Sequence, residues 1–233
     1  YHWFTDWGRD TMIALPGICL VTGRQAYARD ILRAFAAHIS EGMIPNRFAD
    51  FGAQADYNSV DATLWYFVAL HHYLRHTQDY GFVETALWES LQDIVVWHRR
   101  GTRYGIQVDP RDGLLWAGQE GTQLTWMDAK VDDWVVTPRQ GKPVEVNALW
   151  YNALRIMAHL AERFDEDELR REFEAQAERV RRSFAAAFWN REAACLFDVV
   201  GDGWHDASMR PNQLLALSLP FALLEGQRAA QVL

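Results

Sequence analysis

The sequence is poor in the residues that several chemistries require. Its 233 residues hold two cysteines, Cys19 and Cys195, too few and too far apart for a disulfide framework. That usage suggests a reducing cytoplasm. No glycine-rich phosphate loop is present, because Gly141-Lys142 lacks the preceding glycine at the required spacing. Serines are few and none stands in a nucleophile-elbow context. No run approaches the ~20 apolar residues of a membrane span, and no signal peptide opens the chain, so no membrane partner is expected. Positive charge is short as well: 23 Lys plus Arg against 31 Asp plus Glu leave a net charge of −8. That balance argues against nucleic acid, whose phosphates need a basic surface. His72 and His76 stand four apart on an expected helix, but no Glu lies between them in the metalloprotease sense and no third ligand is near. They read as a core or surface pair, and neither a metal nor a cofactor is expected.

What the chain has is helical periodicity. Apolar residues recur every three or four positions at Val60, Leu64, Phe67, Val68 and Leu74, and at Val83, Leu87, Leu91, Ile94 and Val95. They do so again from Val146 to Leu160 and from Leu169 to Phe188. Segments 10–22 and 26–41 also read as helices, with Gly23 and Gly42 as stops and Pro16 as a kink in the first. Asp165, followed three residues later by Glu168, predicts an acidic cap for the 169–188 helix. With weaker helices near 211–219 and 226–233, the count is about eight. Between them lie three long connections, 42–57, 101–144 and 189–210. The middle one carries short strands around Ile106–Val108 and Leu114–Trp116, joined by the turn sequence Asp109-Pro110-Arg111-Asp112-Gly113. No low-complexity linker divides the chain, so residues 1–233 read as one domain of antiparallel helix pairs with function on the long loops.

Those loops concentrate aromatic and acidic residues. Of the eleven tryptophans, Trp3, Trp7, Trp116, Trp126 and Trp134 sit beside acids, arginines or glycines and not in helical stripes. An indole face can pack on the C–H face of a sugar while polar neighbours bind its hydroxyls. Asp6, Asp10, Asp109, Asp112, Glu120, Asp128, Asp132 and Asp133 crowd the same segments. Glycosidic cleavage needs one carboxyl that donates a proton to the leaving oxygen and a second carboxylate opposite it. Asp128 follows Trp126 and Met127, neighbours that would desolvate it and favour the proton-donating form, whereas Asp132 and Asp133 lie in a more polar run. A solvated acidic loop is the competing reading.

The strings YHWFTDWGRDTMIALPG, GMIPNRFADFG, YNSVDATLW, GTRYGIQVDPRDGLLWAG, GTQLTWMDAKVDDWVVTPRQGKPVEVNALWYNAL and RPNQLLALSLP together resemble the C-terminal, amylo-α-1,6-glucosidase domain of bacterial and archaeal glycogen debranching enzymes. The resemblance runs from Tyr1 to about Leu219. It implies an all-α fold, an (α/α)6 barrel similar to glucoamylases with short β-hairpins in its long loops. It also implies a substrate, glycogen or another branched α-glucan. Residue by residue, it implies that Asp128 is the general acid and that Arg9 and Asp10 bind hydroxyls of the terminal glucose, with Trp7 in the same motif. Trp126 would be a wall of the sugar site and Lys130 a nearby charge. Glu145, Asn147 and Trp150 in PVEVNALW, and Arg210 and Asn212 in RPNQ, match positions near the pocket.

One departure from the family pattern shapes the expectation. An HxGTVWPW-like segment and the later glutamate-bearing stretch that supplies the base do not occur here. About eight helices in this length, against twelve in roughly 350 residues for a whole barrel, predict an incomplete barrel truncated at both ends. It would hold the acid without the base, be inactive in isolation, and self-associate through an open barrel edge. Glu120, Asp132 or Glu145 could serve as a substitute base within the chain, a reading the sequence disfavours. Two other readings stay open: a glucoamylase- or trehalase-like hydrolase on the same barrel, and a non-catalytic carbohydrate-binding piece.

Overall fold

The computed structural model describes residues 6–48 and 55–233. Trp3, the start of the YHWFTDWGRD string and positions 49–54 of the 42–57 connection lie outside the described residues.

Helices form where the apolar spacing demands them, and their burial sorts them into two kinds. Helices α3 (Val60–Thr77) and α6 (Val144–Arg163) are apolar nearly all round, with 12 of 18 and 16 of 20 residues buried. A helix of that composition must be enclosed by others. Helices α2 (Gln25–Ala36), α5 (Trp88–Arg100) and α7 (Asp167–Ala187) bury one stripe each and turn a charged face outward. After α1 (Gly8–Leu15), which buries one face, the chain alternates: α2 outside, α3 inside, α4 (Tyr80–Ala86) and α5 outside, α6 inside, α7 outside. Inner α3 packs on both α1 and α6, and α7 packs along α6. After α7 come two short helices, α8 (Leu215–Ser218) and α9 (Gly226–Val232). Among the described residues no helix is long and apolar enough to cross a membrane.

Several helix boundaries differ from expectation, each for a local reason. Pro16 has no N–H to donate, and the first helix passes there into a π-helical turn, Pro16–Leu20, in which Val21 N–H reaches back to the Pro16 carbonyl at 3.0 Å. The helix expected through Val83–Val95 is interrupted at Leu87, whose φ of −125° leaves the helical region. Trp88 then turns onto the α6–α7 link, stacking edge-on against Phe164 and donating Nε1–H to Glu166 at 2.8 Å. Asp165 does not cap α7. It takes a left-handed φ of 57° in the turn, Glu166 stands at the N-cap position, and the expected Asp165–Glu168 pair does not form.

The connections hold more strand than the sequence suggested. Strands β1 (Gln107–Val108) and β2 (Leu115–Trp116) make the expected hairpin. β3 (Lys130–Val131) and β4 (Trp134–Val135) make a second. The 189–210 connection, for which the sequence places no strands, carries β6 (Trp189–Asn190) paired with β7 (Cys195–Leu196), then β8 (Val199–Gly201) and β9 (Trp204–Asp206). β8 lies between β9 and β5 (Lys142–Pro143), tying the late part of the chain to the start of α6.

Candidate active site

Helices α1, α3 and α6 each carry an acid in the first turn: Asp10 in α1, Asp61 in α3 and Glu145 in α6. Acids there complement the positive end of the helix dipole, while the N–H groups they leave over need partners. For α1 the partner is backbone, with Gly8 N–H bonded to the Asn46 carbonyl at 2.8 Å. For α3 it is the Ser59 hydroxyl, which accepts from Ala62 N–H, and the Leu124 carbonyl, which accepts from Val60 N–H at 2.9 Å. That last bond fastens the long 101–143 connection to the end of α3. The loop is closed at its own base as well, since Ala117 and Gly141 exchange two backbone hydrogen bonds, of 2.7 and 3.0 Å. Asp128 stands on the loop so enclosed.

Arg9, in the first turn of α1, is the centre of the site. Its Nε lies 2.9 and 3.0 Å from the two oxygens of Asp61, Nη2 donates to the Ser59 hydroxyl at 3.1 Å, and Nη1 donates to Asp128 at 3.2 Å. Ser59 in turn donates to Asp61 at 2.5 Å. Burial works against the guanidinium's charge, but Asp61 and then Asp128 more than offset it, so the arginine pKa lies above its ordinary value. Asp61, buried and fully engaged, fixes Arg9, while the Asp128 side chain is 47% exposed. The desolvation expected from Trp126 and Met127 is therefore absent here, and Asp128 sits open beside a cation.

An open groove with a volume of about 720 Å³ runs from these groups along α1. Asp6, Trp7, Arg9, Asp10 and Asp128 line its polar end; Ala14, Leu15, Ile18 and Cys19 carry it on as an apolar trough. Four of the site residues named from sequence, Trp7, Arg9, Asp10 and Asp128, thus meet in one place.

The others do not line this groove. Lys130 is exposed on the β3–β4 hairpin. Asn147 and Trp150 are buried in α6 and serve the first hairpin: Asn147 bonds both the N–H and the carbonyl of Leu115, at 2.7 and 3.0 Å, and Trp150 donates to the Gly113 carbonyl at 3.3 Å. Asp109 and Asp112 are held beneath that hairpin by Lys142, at 2.7 and 2.5 Å. Hydrogen bonds from Arg111 and Lys142 hold the Asp109 carboxyl well below the usual range, against its partial burial.

Glu145, Arg210, Asn212 and Trp126 belong to one buried polar network. Arg139 grips Glu145 through both oxygens, and burial pushes the Glu145 carboxyl up against that pull. Arg139 also bonds Asp198, which accepts from Arg210 at 2.5 Å and from Asn212 at 2.7 Å. Asn212 accepts the Nε1–H of Trp126 at 2.8 Å, leaving the indole 48% exposed two residues before Asp128. Both Glu145 oxygens are occupied, which removes it as a substitute base, while Glu120 and Asp132 are exposed.

Sequence reasoning missed Asp61, Ser59, Arg139 and Asp198. Ser59 and Asp61 carried a legible signal, a hydroxyl cap with an acid in the first turn of a helix. Arg139 and Asp198 carried none, because their partners lie up to 59 residues away.

Comparison with known proteins bears on this arrangement. Two solved structures share the fold: a GH78 family rhamnosidase of Bacillus sp. GL1, with a TM-score of 0.72, 18% identity and coverage of 97% of this chain and 22% of its own; and a rhamnosidase from Klebsiella oxytoca with rhamnose bound, with a TM-score of 0.61, 20% identity and coverage of 83% and 35%. The glycogen debranching enzyme of Saccharomyces cerevisiae is 27% identical over 207 residues, covering 66% of this chain and 13% of its own length. The chain thus spans a minor part of each of these relatives. The family described as amylo-alpha-1,6-glucosidase matches residues 1–233, taking in the Arg9 motif, the Asp61 cap and the Asp128 loop together. A chain of alternating inner and outer helices, with Arg9, Asp61 and Asp128 in contact at its groove, is thus matched by one family over its whole length: the chain belongs to the amylo-alpha-1,6-glucosidase family.

Proposed function

We propose that this domain acts on branched α-glucans, removing the α-1,6-linked glucose at a branch point of glycogen or limit dextrin with inversion at the anomeric carbon. The observation that carries the reading is the Asp61–Arg9–Asp128 contact at the head of the groove. Asp128 protonates the bridging oxygen, Arg9 and Asp10 hold the hydroxyls of the terminal sugar, and Trp7 packs against its ring. A sugar in the groove covers the half-exposed Asp128 and competes for the Arg9 donor. Burial and the loss of a cationic neighbour both favour the neutral form of a carboxyl, which is the form a proton donor needs.

Inversion also requires a carboxylate roughly 6.5–9.5 Å across the sugar to activate water. In this reading that base is a glutamate carried on chain other than these 233 residues. Hydrolysis by the 233-residue chain alone would place it inside, with Asp6, Glu120 and Asp132 the carboxylates to test. The two free, buried thiols, Cys19 and Cys195, suit a reducing compartment, which supports a cytoplasmic location in this reading.

Asp128→Asn in the natural full-length protein tests the reading. Loss of a general acid is expected to lower kcat on a branched dextrin by about 10²–10⁴-fold. Survival near the wild-type rate would overturn the assignment. Hydrolysis of linear maltooligosaccharides or trehalose, with limit dextrin untouched, would instead make the protein a glucoamylase- or trehalase-like hydrolase. Sugar binding with no hydrolysis in the full-length protein would make it a binding module.

A further inference from the structure

Asp198 lies outside the groove, yet its bonds lead directly to the loop that carries Asp128. Its side chain is 1% exposed and accepts four hydrogen bonds: Arg139 Nε and Arg210 Nη1 at Oδ2, Arg139 Nη2 and Asn212 Nδ2 at Oδ1, at 2.9, 2.5, 2.9 and 2.7 Å. A carboxylate with donors on both oxygens from two directions cannot rotate without breaking several charge-assisted bonds at once. Its backbone is held too. Asp198 N–H donates to Asp206, and its carbonyl accepts the Val144 N–H at the start of α6, at 2.8 and 2.9 Å.

This immobile acceptor decides how Asn212 stands. A side-chain amide offers donors on one side and an acceptor on the other. Facing Asp198, Asn212 must present its NH2, so its carbonyl oxygen points the opposite way, and there it meets the Trp126 indole N–H at 2.8 Å. The flipped amide would set oxygen against carboxylate and NH2 against indole N–H, two clashes in place of two bonds. Asn212 Nδ2 also lies 3.6 Å from the Met127 sulfur. The two residues before Asp128 are thereby both fastened to Asn212, and Asp128 is the next side chain along, turned to Arg9.

We propose that Asp198 is a positioning residue: through Asn212 it fixes Trp126, and through Trp126 the placement of Asp128 over the groove. This rests on the reading of Asp128 as the acid, and the experiment separates the two. The variants are Asp198→Asn, Asn212→Leu and the double, made in the natural full-length protein with Asp128→Asn as reference. Leaving-group dependence is the readout that a merely structural role would not move. A branched dextrin needs a proton on its departing oxygen, whereas α-glucosyl fluoride releases fluoride with little need of an acid. Asp198→Asn is expected to lower kcat on dextrin about tenfold or more and to leave the fluoride within about twofold. Asn212→Leu should do the same, and the double should be no worse than Asn212→Leu, since both act on one path.

A second measurement does not depend on catalysis. With 15N-labelled tryptophan and Trp126→Phe to assign it, the Trp126 indole N–H resonance should move upfield and exchange faster in Asp198→Asn as in Asn212→Leu. If Asp128→Asn shows no leaving-group dependence, the acid reading falls while the indole result still judges the positional one. If Asp128→Asn shows it and Asp198→Asn lowers both substrates equally, leaves the indole resonance in place, or adds fully to Asn212→Leu, the positioning role is overturned.

Discussion

Arg9 is shared between a carboxylate that holds it and one that it holds: both oxygens of buried Asp61 lie within 3.0 Å of its Nε, and half-exposed Asp128 takes its Nη1 at 3.2 Å. The buried partner is the structural one, the exposed partner the one a ligand can displace.

Asp61→Ala should therefore strand Arg9 in a mostly buried position. Breaking such a pair costs about 3 kcal/mol, at the low end of the buried range because Arg9 keeps its bonds to Ser59 and Asp128. Denaturant titration measures it, and Asp61→Asn should lose less. An unchanged midpoint for Asp61→Ala would show that Asp61 does not hold the arginine.

Arg9→Lys keeps the charge and loses the fork. One ammonium cannot bond Asp61, Ser59 and Asp128 in their present places, so the substitution is not conservative. KM for dextrin is expected to rise about tenfold, with the circular dichroism spectrum unchanged. A KM within twofold of wild type would remove Arg9 from the sugar site.

His98 gives the fold an acid-side limit. It is fully buried, stacked on Trp150 at 5.8 Å, with Nδ1–H donating to the Ile94 carbonyl and Nε2 without a partner among the described residues. Burial, partly opposed by the Ile94 bond, lowers its pKa to about 4 from the ordinary 6.5. Above pH 6.5 the ring is neutral in both states and adds no slope. Between 6.5 and about 4 the unfolded chain binds a proton that the folded one does not, so stability falls as pH falls; below 4 the effect levels off. One such proton contributes about 1.4 kcal/mol per pH unit. Urea midpoints at pH 7 and pH 5 should diverge less in His98→Phe than in wild type, and an equal divergence would clear His98 of the role.

Gly8 stands where a side chain cannot. A Cβ there would come within 2.3 Å of the Pro45 carbonyl oxygen, and backbone on that side has little room to retreat. Gly8→Ala is expected to cost about 1–3 kcal/mol as overpacking and to disturb Arg9, its neighbour. Thermal melting checks the first, KM the second. A melting point equal to wild type would contradict the close approach.

Helix α1 and its π-helical continuation leave Ile13, Ile18 and Val21 exposed on one side, with Tyr27 also open on α2. Large apolar side chains exposed on neighbouring turns favour association. Light scattering of the 233-residue chain should report dimers or larger species, and Ile18→Lys with Val21→Lys should shift them toward monomer. A wild-type chain that is monomeric at high concentration would mean that this face does not attract a second copy.

Periodicity made the helices legible: the stripes from Val60 to Leu74 and from Val146 to Leu160 became the two enclosed helices, because an apolar circumference permits little else. Boundaries were less so. Asp165 reads as a cap but turns the chain, since a left-handed residue was needed between α6 and α7. Strands β8 and β9 escaped notice because a three-residue strand has too few positions to display a period. Within the candidate site, Arg9 and Asp10 came from a family-like motif and Asp128 from that and its loop neighbours, whereas Asp198 is defined by three side-chain partners, Arg139, Arg210 and Asn212, from two separate stretches of chain. Asn147 and Trp150 stood in a string rich in family-like residues and bond the β1–β2 hairpin, where the buried N–H and carbonyl of Leu115 and the carbonyl of Gly113 need partners.

The two hydrogen bonds between Ala117 and Gly141 have an evolutionary consequence. A loop whose feet are bonded to each other presents the same two ends to the helices when its exposed stretches change length. Doubling its length costs only about 0.6 kcal/mol in closure entropy. Insertions can therefore be taken up in its exposed stretches, 119–121 and 129–134, while the anchors at Leu124 and Arg139 and the helices beneath keep their packing.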